Sequence, residues 1–172
     1  MYYLTTYHSP IGEIILACDN IGLTGLWFKN QKHFAATLSS EHIYIEETHQ
    51  LPPFLSEGIR WLDIYFSGKK PDFTPAIHLT GTPFRVEVWQ LLLTIPYGET
   101  ISYGEIASKI ARQHGLVSMS SQAVGGAVGH NPLSIIVPCH RVVGADGSLT
   151  GYAGGVDKKA YLLSIETSAL ST

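Results

Sequence analysis

The chain has 172 residues, 45% of them hydrophobic, and a formal net charge of −3. That is enough apolar material for one medium domain or two small ones sharing an interface, and it excludes global disorder. No uncharged apolar run is long enough to span a bilayer, and MYYLTTYHSP lacks a basic start with an apolar stretch behind it. Two cysteines make no disulfide scaffold, so a soluble cytoplasmic protein is expected, a monomer by default. The charge is uneven: residues 1–80 hold five Lys/Arg against eight Asp/Glu, whereas residues 81–172 hold six of each. A nucleic-acid contact is therefore expected from the second half, with few phosphates neutralised and a shallow salt dependence.

The first half reads as a β-meander. Tyr2–Tyr7, Glu13–Cys18 and Leu23–Phe28 are β-prone runs, separated by the turn sequences SPIG and DNIG. HFAATL suggests a short helix and IYIEET a strand. FLSEGIRWLDIYFSG places Leu55, Ile59, Leu62 and Phe66 at helical spacing, with Gly68 as a C-terminal cap. The Pro-punctuated residues 69–80 read as a linker, dividing the chain into 1–80 and 81–172.

The second half reads as mainly helical. Thr82-Pro83 opens FRVEVWQLLLTI, PYGE breaks it, and Ser102-x-x-Glu105 is a capping box in front of YGEIASKIARQ. SQAVGGAVGHN follows as a glycine-rich helix, giving the outline of a helix-turn-helix. A strand-like IIV leads into the turn Pro138-Cys139-His140-Arg141, and Asp157 is expected to cap a last helix, KKAYLLSIE, ending at Glu166.

Cys139 admits two readings: an inert core thiol, or a nucleophile whose pKa is lowered by the His140 and Arg141 cations beside it. In an extended chain, adjacent side chains point to opposite faces, so His140 reaches the thiol only through a water or a sharp turn. Glu166 is the economical partner to orient the imidazole. Gly125, Gly126 and Gly129 either let the helix pack closely on a neighbour or bare a face for a nucleic-acid groove. Cys18 and Trp27, Trp61 and Trp89 read as core. No His-x-x-x-His pair or cysteine at zinc spacing occurs, so no metal is expected.

Asn131-Pro132, Pro138-Cys139-His140-Arg141-Val142 and Thr150-Gly151-Tyr152-Ala153-Gly154-Gly155, together with FRVEVWQLLLTIPYGETISYGEIA and LLSIE, resemble the O6-alkylguanine-DNA alkyltransferase family over residues 82–166. The resemblance implies an α+β protein: a small β-rich, ribonuclease-H-like N-terminal domain and a mainly helical C-terminal domain with a winged-helix-like helix-turn-helix. It implies single-turnover DNA repair without a cofactor, in which an alkyl group on the O6 of a flipped-out guanine, or on O4 of thymine, moves to Cys139. The partner is double-stranded DNA, held through its minor groove. By position, His140 is then the water-mediated base, Glu166 its orienting partner and Asn131 the brace of the cysteine turn. Tyr103 donates to the guanine ring, Lys159 supports that electrostatics, and Tyr152, Ala153 and Gly154 wall the base pocket. Gln122, Ala123, Gly125, Gly126 and Arg141 face DNA.

Two departures stand out. Gln122 occupies the place of an arginine in the family, and the inter-helix turn ARQHGLVSMSS is longer than is typical. Two rival functions are a lesion-binding sensor of the same fold without transfer, and a cysteine hydrolase. The retained Cys139 argues against the first, and the adjacent Cys-His pair against the second.

Overall fold

The computed structural model describes residues 1–46 and 48–171, and the architecture is α+β. Strands β1 (Tyr2–Ser9), β2 (Gly12–Cys18) and β3 (Leu23–Phe28) form the expected antiparallel meander. A short β4 (His42–Tyr44) adds in parallel beside β1, for a sheet order β3-β2-β1-β4. Helix α1 (Pro53–Phe66) covers one face. It buries Leu55, Gly58, Trp61, Leu62 and Tyr65, while Ile59 and Phe66 are only half-buried, so the buried stripe is rotated from the expected one. The rotation brings Gly58, with no side chain to hold the helix off, over Leu23.

The helix expected at HFAATL is absent. Residues 32–37 run as successive turns, with His33 and Ala35 at φ 59° and 52°, a hand that a right-handed helix cannot continue through. This segment instead lays Ala35 and Leu38 over Leu4, Ala17 and Trp27 on the outer face of the sheet. The strand expected over IYIEET is shorter and begins one residue earlier, as β4; Glu47 lies outside the described residues. The linker is not free: Leu23 N–H donates to Ala76 O (2.8 Å) and His78 N–H to Leu23 O (2.7 Å), along the outer edge of β3. Farther along that edge, Leu26 N–H donates to Pro132 O and Ser134 N–H to Leu26 O. One apolar cluster accordingly runs through both halves of the chain.

In the second half, Thr82 caps α2 (Pro83–Leu92) and the Ser102–Glu105 box caps α3 (Tyr103–Gln113). Ser120 caps α4 (Ser121–Gly129), and the Trp89 indole fastens that helix by donating to Ala127 O at 2.8 Å. Two-residue strands β5 (Ile101–Ser102) and β6 (Val142–Val143) pair in parallel. The last helix, α5 (Val156–Ser171), corrects two expectations: Asp157 lies inside its first turn rather than at the cap, and the helix continues well past Glu166. No helix among the described residues is long and apolar enough to cross a membrane.

Candidate active site

The run before Cys139 is not a strand. Ile136 N–H bonds back to Ser134 O (2.9 Å) around Ile135 at φ 72°, a tight turn of the strained hand for a β-branched residue. Cys139 N–H then bonds to Val137 O (2.8 Å) around Pro138 at φ −82°, ψ 65°, the relaxed hand of the same turn. Asn131 clamps the pair, its amide donating to Val137 O (2.8 Å) and accepting from Leu133 N–H (3.0 Å). Cys139, His140 and Arg141 follow as one turn of 3-10 helix, all buried. In that helix neighbouring side chains fan out by a third of a turn, so the extended-chain geometry expected for Cys139 and His140 does not apply.

Glu166, from α5, sits beneath this turn. Its carboxylate accepts from His140 Nε2, Tyr65 OH (2.8 Å), Arg141 Nε (2.6 Å) and Gly98 N–H (3.1 Å), which fills its lone-pair sites. Burial alone would raise the Glu166 pKa, but these hydrogen bonds and the His140 and Arg141 charges bring it down to about 2. The permanently charged Arg141 suffices to hold Glu166 ionised while burial pushes the His140 pKa below its ordinary value. An ionised carboxylate only accepts, so a neutral His140 carries its proton on Nε2 and a lone pair on Nδ1. That Nδ1 is buried and has no hydrogen-bond partner among the described residues.

Arg141 is therefore not on a DNA-facing surface. It is buried, donates also to Ile95 O (2.8 Å) and lies against the Tyr97 ring. Its cation is neutralised by Glu166, so it does not depress the neighbouring thiol. Burial pushes the Cys139 thiol up, with the Asn131 hydrogen bond and the Lys159 charge pulling it part of the way back. The resting sulfur is a thiol that needs a base.

Pairing of Ser102 with Val143 across β5 and β6 brings Tyr103, the next residue, beside the cysteine turn. Tyr103 OH donates to Thr150 O at 3.1 Å. Lys159, whose neighbour Lys158 is only half-buried, is fully buried and donates to the carbonyls of Val142, Thr150 and Gly151. It thus pins the 150–151 segment against β6, and its pKa is lowered by burial.

Above Cys139 opens a cavity of about 360 Å³, walled by Tyr103, by Gly125, Gly126 and Gly129 of α4, and by Gly151, Tyr152 and Ala153. This size falls in the range of small-molecule sites. Gly154 is not part of the wall; it packs on Phe28, whose ring a Cβ there would meet at 2.7 Å. Gly126 and Gly129 do not serve close helix packing, since a Cβ on either would meet nothing within 4 Å, whereas one on Gly125 would reach the Tyr103 ring at 3.9 Å. Gln122 shares their helical face and is exposed, one turn before Gly125 and Gly126. Ala123 is exposed beside it.

The sequence reading missed Tyr65, Gly98, Lys32, His33 and His130. Tyr65 lay within a helix read only for its apolar stripe. Gly98 has φ 82°, and a Cβ there would strike Leu170 at 2.0 Å; the glycine of PYGE was the available signal.

Family models match both halves: the 6-O-methylguanine DNA methyltransferase ribonuclease-like domain over residues 1–79, and the DNA binding domain of the same family over residues 83–168. The chain is 43% identical over 170 residues to the methylated-DNA–protein-cysteine methyltransferase of Mycobacterium bovis, covering 98% of this chain and 94% of the relative. It is 44% identical over 168 residues to that of Methanosarcina acetivorans, covering 98% and 99%. Among solved structures, Mycobacterium tuberculosis OGT in complex with DNA superposes with a TM-score of 0.80 at 43% identity, covering 97% and 94% of the two chains. With a buried cysteine at the floor of a cavity beside a bare-faced helix, and with matches along both halves, this chain belongs to the 6-O-methylguanine DNA methyltransferase family.

Proposed function

We infer that the protein repairs alkylated DNA by moving an alkyl group from O6 of guanine to the sulfur of Cys139. The observation that carries this reading is the meeting of Cys139 and the glycine face of α4 in one cavity, with His140 and Glu166 behind it. A base in a duplex hides its O6 substituent, so the nucleotide must turn out of the stack into the cavity. Exposed Gln122 and Gly126, with half-buried Gly125 beside them, form the face that meets the minor groove.

His140 Nδ1, which makes no hydrogen bond to the sulfur, takes the thiol proton through a bridging water, and Glu166 stabilises the imidazolium that results. The sulfur attacks the alkyl carbon, the S–C bond forms as the C–O6 bond breaks, and guanine leaves with the electron pair, to be protonated. Tyr103 OH, at the cavity wall, turns from Thr150 O to the guanine ring and supports that departing charge. Lys159 acts through its field and by holding the wall segment. The product is a thioether that water does not cleave, so each molecule acts once. The protein works in the cytoplasm, where a free thiol persists, and as a monomer. Residues 81–172 carry the reactive groups, and residues 1–80 brace them from behind.

The test is incubation with an oligonucleotide carrying O6-methylguanine, followed by intact mass and peptide mapping. A gain of one methylene on Cys139, saturating at one per protein, is the expected result. Binding with no gain in mass would instead favour a lesion sensor.

A further inference from the structure

The mouth of the cavity carries a feature that alkyl transfer itself does not use. Lys32 and His33, from the turn segment after β3, line it beside the end of α4. The His33 ring stacks on His130 at the C-terminal end of α4, with centroids 3.8 Å apart. The segment is held in place: buried Gln31 accepts from Phe28 N–H (2.8 Å), and Lys32 N–H donates to Ala153 O (3.1 Å) on the far wall. His130 Nδ1 is bonded to Gly126 O (2.7 Å), which only accepts, so its other ring nitrogen is free of that carbonyl. Burial, followed by the charges of His130, Lys32 and Arg85, pushes the His33 pKa down. The charges acting on it are of one sign and come from three separate elements: its own turn, α2 and the end of α4.

A base that reaches Cys139 leaves its own phosphodiester at this mouth. We propose that Lys32, His33 and His130, with the Arg85 charge nearby, form a phosphate-binding rim that holds the backbone of the extruded nucleotide, making the N-terminal half a direct partner of DNA. The proposal rests on the alkyl-transfer reading above for the identity of the occupant. It revises the expectation that the second half alone would meet DNA, since an acidic first half presents two of its basic residues at the point where an anion must pass.

The experiment compares the whole protein with Lys32→Gln and Lys32→Gln/Arg85→Gln, using an O6-methylguanine duplex and, as a substrate with no phosphate, the free O6-methylguanine base. The expected slope of log affinity for the duplex against log salt falls by about one for each charge removed. Transfer from the duplex is expected to fall roughly ten-fold further than transfer from the free base, as one charge-assisted hydrogen bond implies. An unchanged salt slope, or equal losses on both substrates, would overturn the rim. Failure of the unaltered protein to accept methyl from either substrate would overturn the transfer reading instead, and the salt slope would still judge the rim.

Discussion

Tyr65 donates its hydroxyl proton to Glu166 from 2.8 Å, joining the helix that backs the sheet to the last helix of the chain, 101 residues later. The carboxylate that orients His140 is thus held in part by the half of the molecule that carries no reactive group. Tyr65→Phe removes this donor and keeps the ring. Loss of one hydrogen bond to a charged acceptor costs about 1.5–3 kcal/mol, to be read in urea unfolding, with a slower single-turnover transfer in the same preparation. Unfolding free energy and transfer both equal to those of the unaltered protein would show that the contact contributes nothing.

Glu166 makes stability depend on acid. Its carboxyl is depressed to about 2 against an ordinary 4.5, so its contribution is complete above 4.5 and is lost as pH falls from there through 2. Glu166→Gln also leaves Arg141 buried without a counter-charge, a loss of about 3–5 kcal/mol near neutrality. The gap between the two proteins should shrink as pH is lowered below 4.5. Denaturant melts at a series of pH values measure it, and a gap independent of pH would contradict the ion-pair account.

The pH dependence of transfer separates two ways of activating the sulfur. Burial keeps the thiol above its ordinary 9.0 and His140 below its ordinary 6.5. If His140 Nδ1 takes the proton, the single-turnover rate rises as pH climbs through the lowered histidine value and is then level through neutrality. A preformed thiolate would instead give a rate that keeps rising beyond pH 9. Rapid-quench measurements across that range decide.

The bare face of α4 trades stability for contact. At Gly126 an added methyl meets nothing within 4 Å, so Gly126→Ala should stabilise the helix by about 1 kcal/mol. The same methyl stands on the face and cavity wall assigned to DNA, and affinity for the alkylated duplex should fall. A variant that gains stability and keeps its affinity would show that the glycine is not there for DNA.

Gln122 is exposed on the same face and uncharged. Gln122→Arg places a cation that reaches a phosphate or the orphaned cytosine, so duplex affinity or the transfer rate should rise and the salt slope steepen by about one. Fluorescence anisotropy at several salt concentrations and single-turnover transfer test it.

Local signals in the sequence were reliable where the physics is local. The Ser102–Glu105 capping box and the Thr82-Pro83 start each depend on residues within one helical turn, and both occur as read. The meander needs only alternation and turns. The reactive turn was legible by composition but not by shape: Ile135-Ile136-Val137 has the make-up of a strand, and Asn131, through side-chain bonds to Leu133 and Val137, bends it into successive tight turns. HFAATL failed for a similar reason, because its apolar side chains cover the sheet while its backbone takes the left-handed region at His33 and Ala35. Arg141 was misplaced because a cation beside a reactive cysteine reads as an activating charge until its carboxylate is known. That carboxylate comes from α5, and no spacing rule discloses the partnership.

The pairing of Leu26 with the segment around Leu133 crosses between the two halves, whereas that of Leu23 with the segment around Ile77 stays within the first, and the former shows what separation would do. Cut near residue 80, the first piece would expose the flank of a wholly buried strand at Leu26, ready to recruit identical copies of itself. It should self-associate when expressed alone and be rescued by supplying the missing piece in the same cell. Recombination that shuffled one half without the other would have to replace that seam as well.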